Sequence, residues 1–346
     1  MNMKKKLFFI AAFIILLLLT GAWLLFGPST SFDEKNKYLF VRSGENIQQQ
    51  VEAQVDTGNI VHFPFIFKVV ASQTGVWDKL KPGRFEIKKG TSIFNMVRML
   101  RNNVQSPVKL VINKLRTKEN FAKLLGKNFS FDSAAAMQFL TSNDSLLQLG
   151  VDTNTVFTMI IPDTYLFNWN TRPRNLLTKL KEQEEKYWNS NRLQLAQEQG
   201  LTPRQVYTIA SIVEEETNKD DEKGSIASVY INRMNKGMPL GADPTVKYAL
   251  RDFALKRIYF KHLAVESPYN TYRYKGLPPG PICTPSQTTI DAVLNAPKTD
   301  YLFFVAKSDF SGYHHFSNNF AEHDRYAKEY QQALDTLIKN KQKQQD

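Results

Sequence analysis

The sequence predicts an α+β protein: an N-terminal transmembrane helix, a small α/β module, and a larger, mainly helical domain with a short β-hairpin. Three observations carry that prediction. An uncharged run, "LFFIAAFIILLLLTGAWLLF", covers Leu7 to Phe26, the roughly 20 apolar residues a helix needs to cross a bilayer. A strand-turn-helix phrase then occurs twice, in "VRSGENIQQQVEAQV" and "IKKGTSIFNMVRML". Beyond about Val156 the texture changes, with Trp, Tyr, Pro and Asn crowding between helical stretches.

Lys4, Lys5 and Lys6 precede the apolar run, and no Lys or Arg follows it until Lys35. The positive-inside rule therefore expects residues 1–6 in the cytoplasm and the bulk of the chain outside it. A cleaved signal peptide would have a shorter apolar region and a small-residue cleavage site, which "WLLFGPSTSF" does not offer. The expectation is a single-pass anchor over 7–26 in a bacterial inner membrane. With 346 residues, 42% of them hydrophobic, the chain can build a sizeable core. Its one cysteine, Cys283, excludes an intramolecular disulfide, and no His/Cys cluster at ligand spacing suggests a zinc site or any other cofactor. A net charge of +12 favours an anionic neighbour. Outward orientation demotes nucleic acid and leaves headgroups or an acidic wall polymer.

The expected organisation after the anchor is a polar linker at 27–37, a module at 38–104, and a connecting α/β subdomain at 105–155. A helical domain at 156–340 and a polar tail at 341–346 follow. The module reads strand, Gly turn, amphipathic helix, second helix, Pro-Gly turn, strand, helix. It resembles a LysM-type glycan-binding module. The connecting segment opens with an alternating strand at Val108 to Ile112 and continues as helices.

The stretch "SIVEEETN", Ser211 to Asn218, places three glutamates after an apolar run. Thr202 and Pro203 supply an N-cap and a first-turn proline, so a helix is expected from there to about Thr217. At about 100° per residue, Val206, Ile209, Ala210, Val213 and Thr217 share a stripe. Glu215 points away from it, while Glu214 and Glu216 sit on its two edges. A carboxyl against an apolar wall keeps its proton toward neutral pH and can deliver it to a leaving group. Helical geometry does not separate Glu214 from Glu216. For either, a surface charge paired with Lys219 or Lys223 is the competing reading.

Downstream, "ASVYINRM", "GMPLGADPTVKYAL", "SPYNTYRYKGLPPGPI" and "YLFFVA" with "HHFSNNFAEH" follow "IASIVEEET" in order. Together these five motifs resemble the MltG/YceG family of membrane-anchored endolytic murein transglycosylases. The resemblance implies a lysozyme-like helical cleft, Glu214 as the catalytic acid, and Glu216 as a supporting residue. It implies peptidoglycan glycan strands as substrate, cut to 1,6-anhydro-muramyl ends, and peptidoglycan synthases as neighbours. Two departures stand out: Cys283 where "GPIATP" usually has Ala, and "EEET" for "EKET".

The remaining candidates carry two readings each. Asn270 and Tyr272 offer amide and phenolic hydrogen bonds to sugar, or brace a rigid turn. Asp243 reads first as a helix cap before Pro244 and second as a substrate contact. Asp163 and Tyr165 belong either to the cleft rim or to a turn with a buried tyrosine. His314 and His315, near a hairpin end, lack partners at metal-binding spacing. Two other functions stay open. A non-catalytic glycan-binding scaffold would keep the anchor and the charge; a hydrolytic muramidase would need a water-activating carboxylate, with Glu216 or Asp243 as nominee.

Overall fold

The computed structural model describes residues 3–44 and 46–343. In chain order the helices and strands are α1 (Met3–Phe26), β1 (Asn36–Val41), α2 (Ile47–Thr57), α3 (Pro64–Gln73), β2 (Gly83–Lys88), α4 (Ile93–Arg101) and β3 (Val108–Val111). Then come α5 (Lys118–Asn128), α6 (Ser133–Leu140), α7 (Asn143–Leu147), β4 (Thr164–Phe167), α8 (Pro173–Tyr187), α9 (Ser190–Glu198) and α10 (Pro203–Glu216). The last are α11 (Lys223–Asn235), α12 (Asp243–Leu250), α13 (Phe260–Leu263), α14 (Gln287–Leu294), β5 (Phe303–Ala306), β6 (His314–Ser317) and α15 (Phe320–Lys343). Two compact units result. One comprises Met1–Leu110, Asn128–Phe131 and Tyr165–Arg172, and the other Val111–Lys127, Asp132–Thr164 and Pro173–Asp346.

In the first unit β1 and β2 pair antiparallel, from Asn36↔Lys88 to Val41↔Gly83. Period-two alternation turns Leu39 and Val41 of β1, and Phe85 and Ile87 of β2, into the core. There they meet Val51, Phe67, Met96 and Leu100 from the three helices. The repeated phrase has a backbone cause. Gly44 and Gly90 both adopt left-handed φ, 86° and 82°, which glycine reaches without a Cβ clash. The turn then delivers a cap: Asn46 accepts the Gln49 N–H at 3.0 Å and Ser92 the Asn95 N–H at 3.3 Å.

Two boundaries differ from expectation. The segment 27–37 is not a free linker, because Ser31 N–H bonds Ile60 O at 3.1 Å, His62 N–H bonds Ser29 O at 2.9 Å, and Phe32 is buried. The segment 105–155 is not a subdomain of its own. Its β3 pairs with β4, and the chain just beyond is tied to a point some 170 residues later. Leu115 N–H bonds the Thr284 hydroxyl at 2.8 Å, and that hydroxyl donates to Asn113 O at 2.9 Å. The polar tail begins inside α15, and residues 344–346 lie outside the described residues.

The second unit is built around α10. Thr202 and Gln205 form a reciprocal capping box with Pro203 at the first position, so the expected start is where the helix begins. The one-sided stripe is not what forms. All residues from Val206 to Val213 are buried, which makes α10 a core helix rather than a surface one. Helices α9, α11, α12 and α14 pack against it, and the loop at 282–283 closes one side. Ser211 Oγ accepts the Ile282 N–H at 3.0 Å and donates to Thr208 O at 2.7 Å. Cys283 Sγ lies 3.3 Å from Ser211 O, fully buried. Burial pushes its thiol pKa up, so the cysteine stays protonated and shielded from oxidants. A packed, inert thiol accounts for its presence beside the helix.

Replacing Ser211 with Ala leaves the buried Ile282 N–H without an acceptor, a loss of about 1–3 kcal/mol. Denaturant unfolding of the full chain in detergent is expected to show that loss, with Cys283→Ala as the milder neighbouring change.

Candidate active site

Because α10 is buried from Val206 to Val213, only its two end turns reach the surface of the unit, and the last carries the glutamates. Glu214, Glu215 and Glu216 leave it about 100° apart, and each meets a different environment.

Glu214 is held by donors from α14 and α11. Its Oε2 accepts the Ser286 hydroxyl at 2.9 Å and the Thr289 hydroxyl, and it lies 3.5 Å from Lys223 Nζ. Lys223 is itself buried and bonds Asp220 at 2.8 Å. The lysine pairing weighed for these glutamates is thus the environment Glu214 occupies. Glu215 receives a bidentate grip from Arg116, at 3.0 and 2.9 Å, with Lys114 Nζ at 3.3 Å. It points away from the core stripe, yet the Asn113–Arg116 segment covers it. These two cations explain why a glutamate is tolerated at the middle position of "EEET".

Glu216 has neither cation. Its Oε1 accepts the Tyr230 hydroxyl at 2.5 Å, and its side chain lines a cavity of about 610 Å³. Burial pushes its pKa up to about 7, against the opposing Tyr230 hydrogen bond, with nearby Asp243 adding to the rise. The position at the C-terminal end of α10, where helix carbonyls concentrate partial negative charge, works in the same direction. A carboxyl so placed holds its proton near neutrality and faces open space.

The cavity is also lined by Arg233, Asp243, Tyr272, Phe303 and His314. Asp243 does not act as the expected cap. Ala242 occupies the N-cap and Asp243 the first helical position, so its carboxylate is free to accept the Tyr272 hydroxyl at 2.6 Å. Burial, and then that bond, push the Tyr272 pKa up and keep the phenol protonated. Asn270 is fully buried and directs its amide to Leu263 O and Val265 O, both at 2.9 Å. Its Oδ1 accepts the Tyr272 N–H at 3.1 Å. It is a loop brace that sets Tyr272, not a cavity-lining group. Asp163 is exposed in a turn whose carbonyl accepts the Ile112 N–H at 2.9 Å, and Tyr165 is buried on β4 in the first unit. Neither lines this cavity.

Sequence reasoning passed over Tyr230, Arg233 and His323 here, and weighed His314 only as a metal ligand. Tyr230 and Arg233 lie one turn apart on α11; Arg233 lines the cavity, and Tyr230 is buried against Glu216. Arg233 is anchored to Leu302 O at 2.6 Å and Leu240 O at 2.7 Å, with its guanidinium 5.1 Å from the Phe303 ring. His314, on β6, has a partner that chain spacing could not reveal: Glu222 accepts its backbone N–H at 2.8 Å and its Nδ1–H at 3.0 Å. This pairing fixes the ring through Nδ1 and turns Nε2 away from Glu222. His323 stacks on Phe303 at 5.1 Å, and burial pushes its pKa down, keeping it neutral. The only advance signal was the aromatic and histidine density of the hairpin motif. His315 instead stacks on Tyr326 at 4.1 Å.

The fold and site thus define a helical cleft domain with one proton-retaining glutamate at the end of a core helix. The chain belongs to the YceG-like family, which matches residues 39–329. It is similar to the "Endolytic murein transglycosylase" of Bacillus subtilis, 36% identical over 172 residues, which are 49% of this chain and 47% of that protein. It is also similar to the protein of the same name from Streptococcus pneumoniae D39, 26% identical over 367 aligned positions, covering 93% of this chain and 65% of that one. The chain therefore spans about half to two thirds of the length of these relatives. In structure it is similar to a YceG-like protein from Listeria monocytogenes, with TM-score 0.56 and 24% identity over 85% of this chain and 99% of that one. That likeness supports the fold.

The raised Glu216 pKa has a stability consequence. Between the ordinary glutamate range of about 4.3 and about 7, the folded state keeps a proton that the unfolded chain releases. Stability is then expected to fall as pH rises through that window and to level off above it. Glu216→Gln, which cannot ionise, should flatten this dependence in melting temperatures measured from pH 4 to 8 (roughly the window the shift defines).

Proposed function

We propose that this chain is an endolytic peptidoglycan lytic transglycosylase and that Glu216, rather than Glu214, is its acid. The observation that carries the reading is the contrast between the two: Glu216 opens on the cavity with one hydroxyl partner and a pKa near 7, while Glu214 is occupied by Ser286, Thr289 and Lys223. Protonated Glu216 gives its proton to the glycosidic oxygen between MurNAc and GlcNAc as the C1–O bond breaks. The C6 hydroxyl of the same muramyl ring then bonds to C1, and the Glu216 carboxylate takes the hydroxyl proton. The product carries a 1,6-anhydro end, no water is consumed, and Glu216 is reset as an acid. Such a mechanism needs one titrating carboxyl where ordinary glycosidases need two. Tyr230 would poise Glu216, and Arg233, Tyr272 and His314 would contact sugar or N-acetyl groups.

The wider setting follows from the same reading. Helix α1 is long and apolar enough to cross a membrane. We take it as a single-pass anchor, with Lys4–Lys6 inside and the site outside. The β-α-α-β order of the first unit supports a LysM-like glycan contact, and the cleft unit is read as lysozyme-like. Synthases that make the strands would be neighbours, with termination or trimming of nascent strands as the outcome.

A second reading, hydrolysis by a muramidase, has one observation in its favour: Asp243 lines the same cavity. One of its carboxylate oxygens is already occupied by the Tyr272 hydroxyl at 2.6 Å.

Mass spectrometry of purified glycan strands treated with the full chain in detergent separates these readings. Internal fragments with anhydro-muramyl ends are expected, with Glu216→Gln slower by about 10²–10⁴-fold and Glu214→Gln retaining more activity. Reducing ends one water heavier would mean hydrolysis; intact strands would leave a binding scaffold. A further expectation concerns pH. Tyr230→Phe removes the hydrogen bond that opposes the rise in Glu216 pKa, so the alkaline limb of the rate–pH profile should move up from about 7.

A further inference from the structure

The structure assigns a membrane-docking face to the first unit, a proposal that rests on reading α1 as a membrane anchor. The chain leaves α1 at Phe26 with no slack. Gly27 N–H still bonds Trp23 O at 2.8 Å, and Ser29 N–H bonds Thr91 O at 3.3 Å. Thr30 bridges Val61, and its hydroxyl accepts the Gly90 N–H at 2.8 Å. The Phe26 ring lies 5.1 Å from the Phe94 ring of α4. The end of the apolar helix is therefore bonded into the unit it carries.

Directly beside this seam the unit exposes large apolar side chains. Phe63 follows the bridged residues by two positions. Phe65 is 78% exposed, and Val69, one helical turn later on the same face of α3, is exposed with it. Phe94 on α4 is exposed on the side that touches Phe26, with Arg98 6.0 Å over its ring. Phenylalanines left uncovered in water cost free energy. At the exit point of a spanning helix they lie level with the boundary between headgroups and acyl chains, where aromatic residues concentrate and a short apolar face is stabilised by lipid. The occupant is the phospholipid leaflet at the C-terminal end of α1. The consequence is a unit seated on the membrane instead of tethered above it.

The opposite end of the same unit supplies an internal control. The Asn36/Lys88 end of the β1–β2 pair adjoins the seam through Lys89 N–H to Lys35 O at 3.0 Å and Thr91 N–H to Lys88 O at 3.1 Å. The Val41/Gly83 end is about 17 Å away by strand rise. There Arg42 N–H bonds Gln50 Oε1 at 2.8 Å, so exposed Gln48 belongs to the remote end.

The test uses the full chain with Cys283→Ala, reconstituted in phosphatidylcholine–phosphatidylglycerol vesicles, with an environment-sensitive dye at Ile14→Cys, Phe65→Cys or Gln48→Cys. Lipids carrying shallow or deep spin labels quench the dye according to depth. Docking predicts deep quenching at 14, shallow quenching at 65 that removes more than half the signal, and little at 48. Quenching at 14 with equal, weak quenching at 65 and 48 overturns docking and leaves the anchor standing. No quenching at 14 overturns the anchor and docking together.

Discussion

The burial of α10 from Val206 to Val213 is the constraint on which the site depends. A helix wrapped on one side only would leave the orientation of its last turn to solvent and side-chain entropy. Here eight consecutive buried residues, Val206 to Val213, are gripped by neighbours on all sides, so the rotation of the helix about its axis is set before the glutamates are reached. Three carboxylates at consecutive positions repel one another and also sit at the negative end of the helix. Their arrangement is tolerable because two are neutralised by partners brought from elsewhere. The third is left to resolve its cost by keeping a proton.

That division of labour links stability to chemistry. Arg116 and Lys114 on Glu215, and Lys223 with Ser286 and Thr289 on Glu214, tie the end of α10 to the Asn113–Arg116 segment, to α11 and to α14. Every group that fixes one carboxylate also narrows the positions open to Glu216. The Pro/Gly-rich loop contributes from the other side: Asn270 spends its amide on backbone carbonyls, and the loop so braced presents Tyr272 to Asp243. Rigid polar networks of this kind hold a cavity open where apolar packing alone would close it.

The first unit follows a different logic. Its antiparallel strand pair and three helices form a small core, and its unusual feature is the absence of slack between α1 and that core. Five residues after Phe26 the backbone is already paired with Ile60. A chain joined this way transmits the orientation of the apolar helix to the unit it enters.

Much of the architecture was legible in the sequence because it is governed by local rules. The apolar length of α1, the Thr202–Pro203 start of α10, the Gly turns before α2 and α4, and the strand alternation of β1 and β2 depend on neighbours within a few residues. The glutamate triplet was legible as a candidate, and helical arithmetic put Glu214 and Glu216 on opposite edges of a stripe that the fold replaces with burial all round. Which edge faced the cavity was not available, because it depends on Ser286 and Thr289, some 70 residues later, and on Tyr230 in the next helix. The same distance hid Glu222 from His314 and Thr284 from Asn113. It also turned a supposed linker into packed chain and a supposed cap, Asp243, into a cavity carboxylate. Local chemistry determined the elements and the residue types at the site; the long-range packing around α10 decided which of those residues keeps a proton and faces open space.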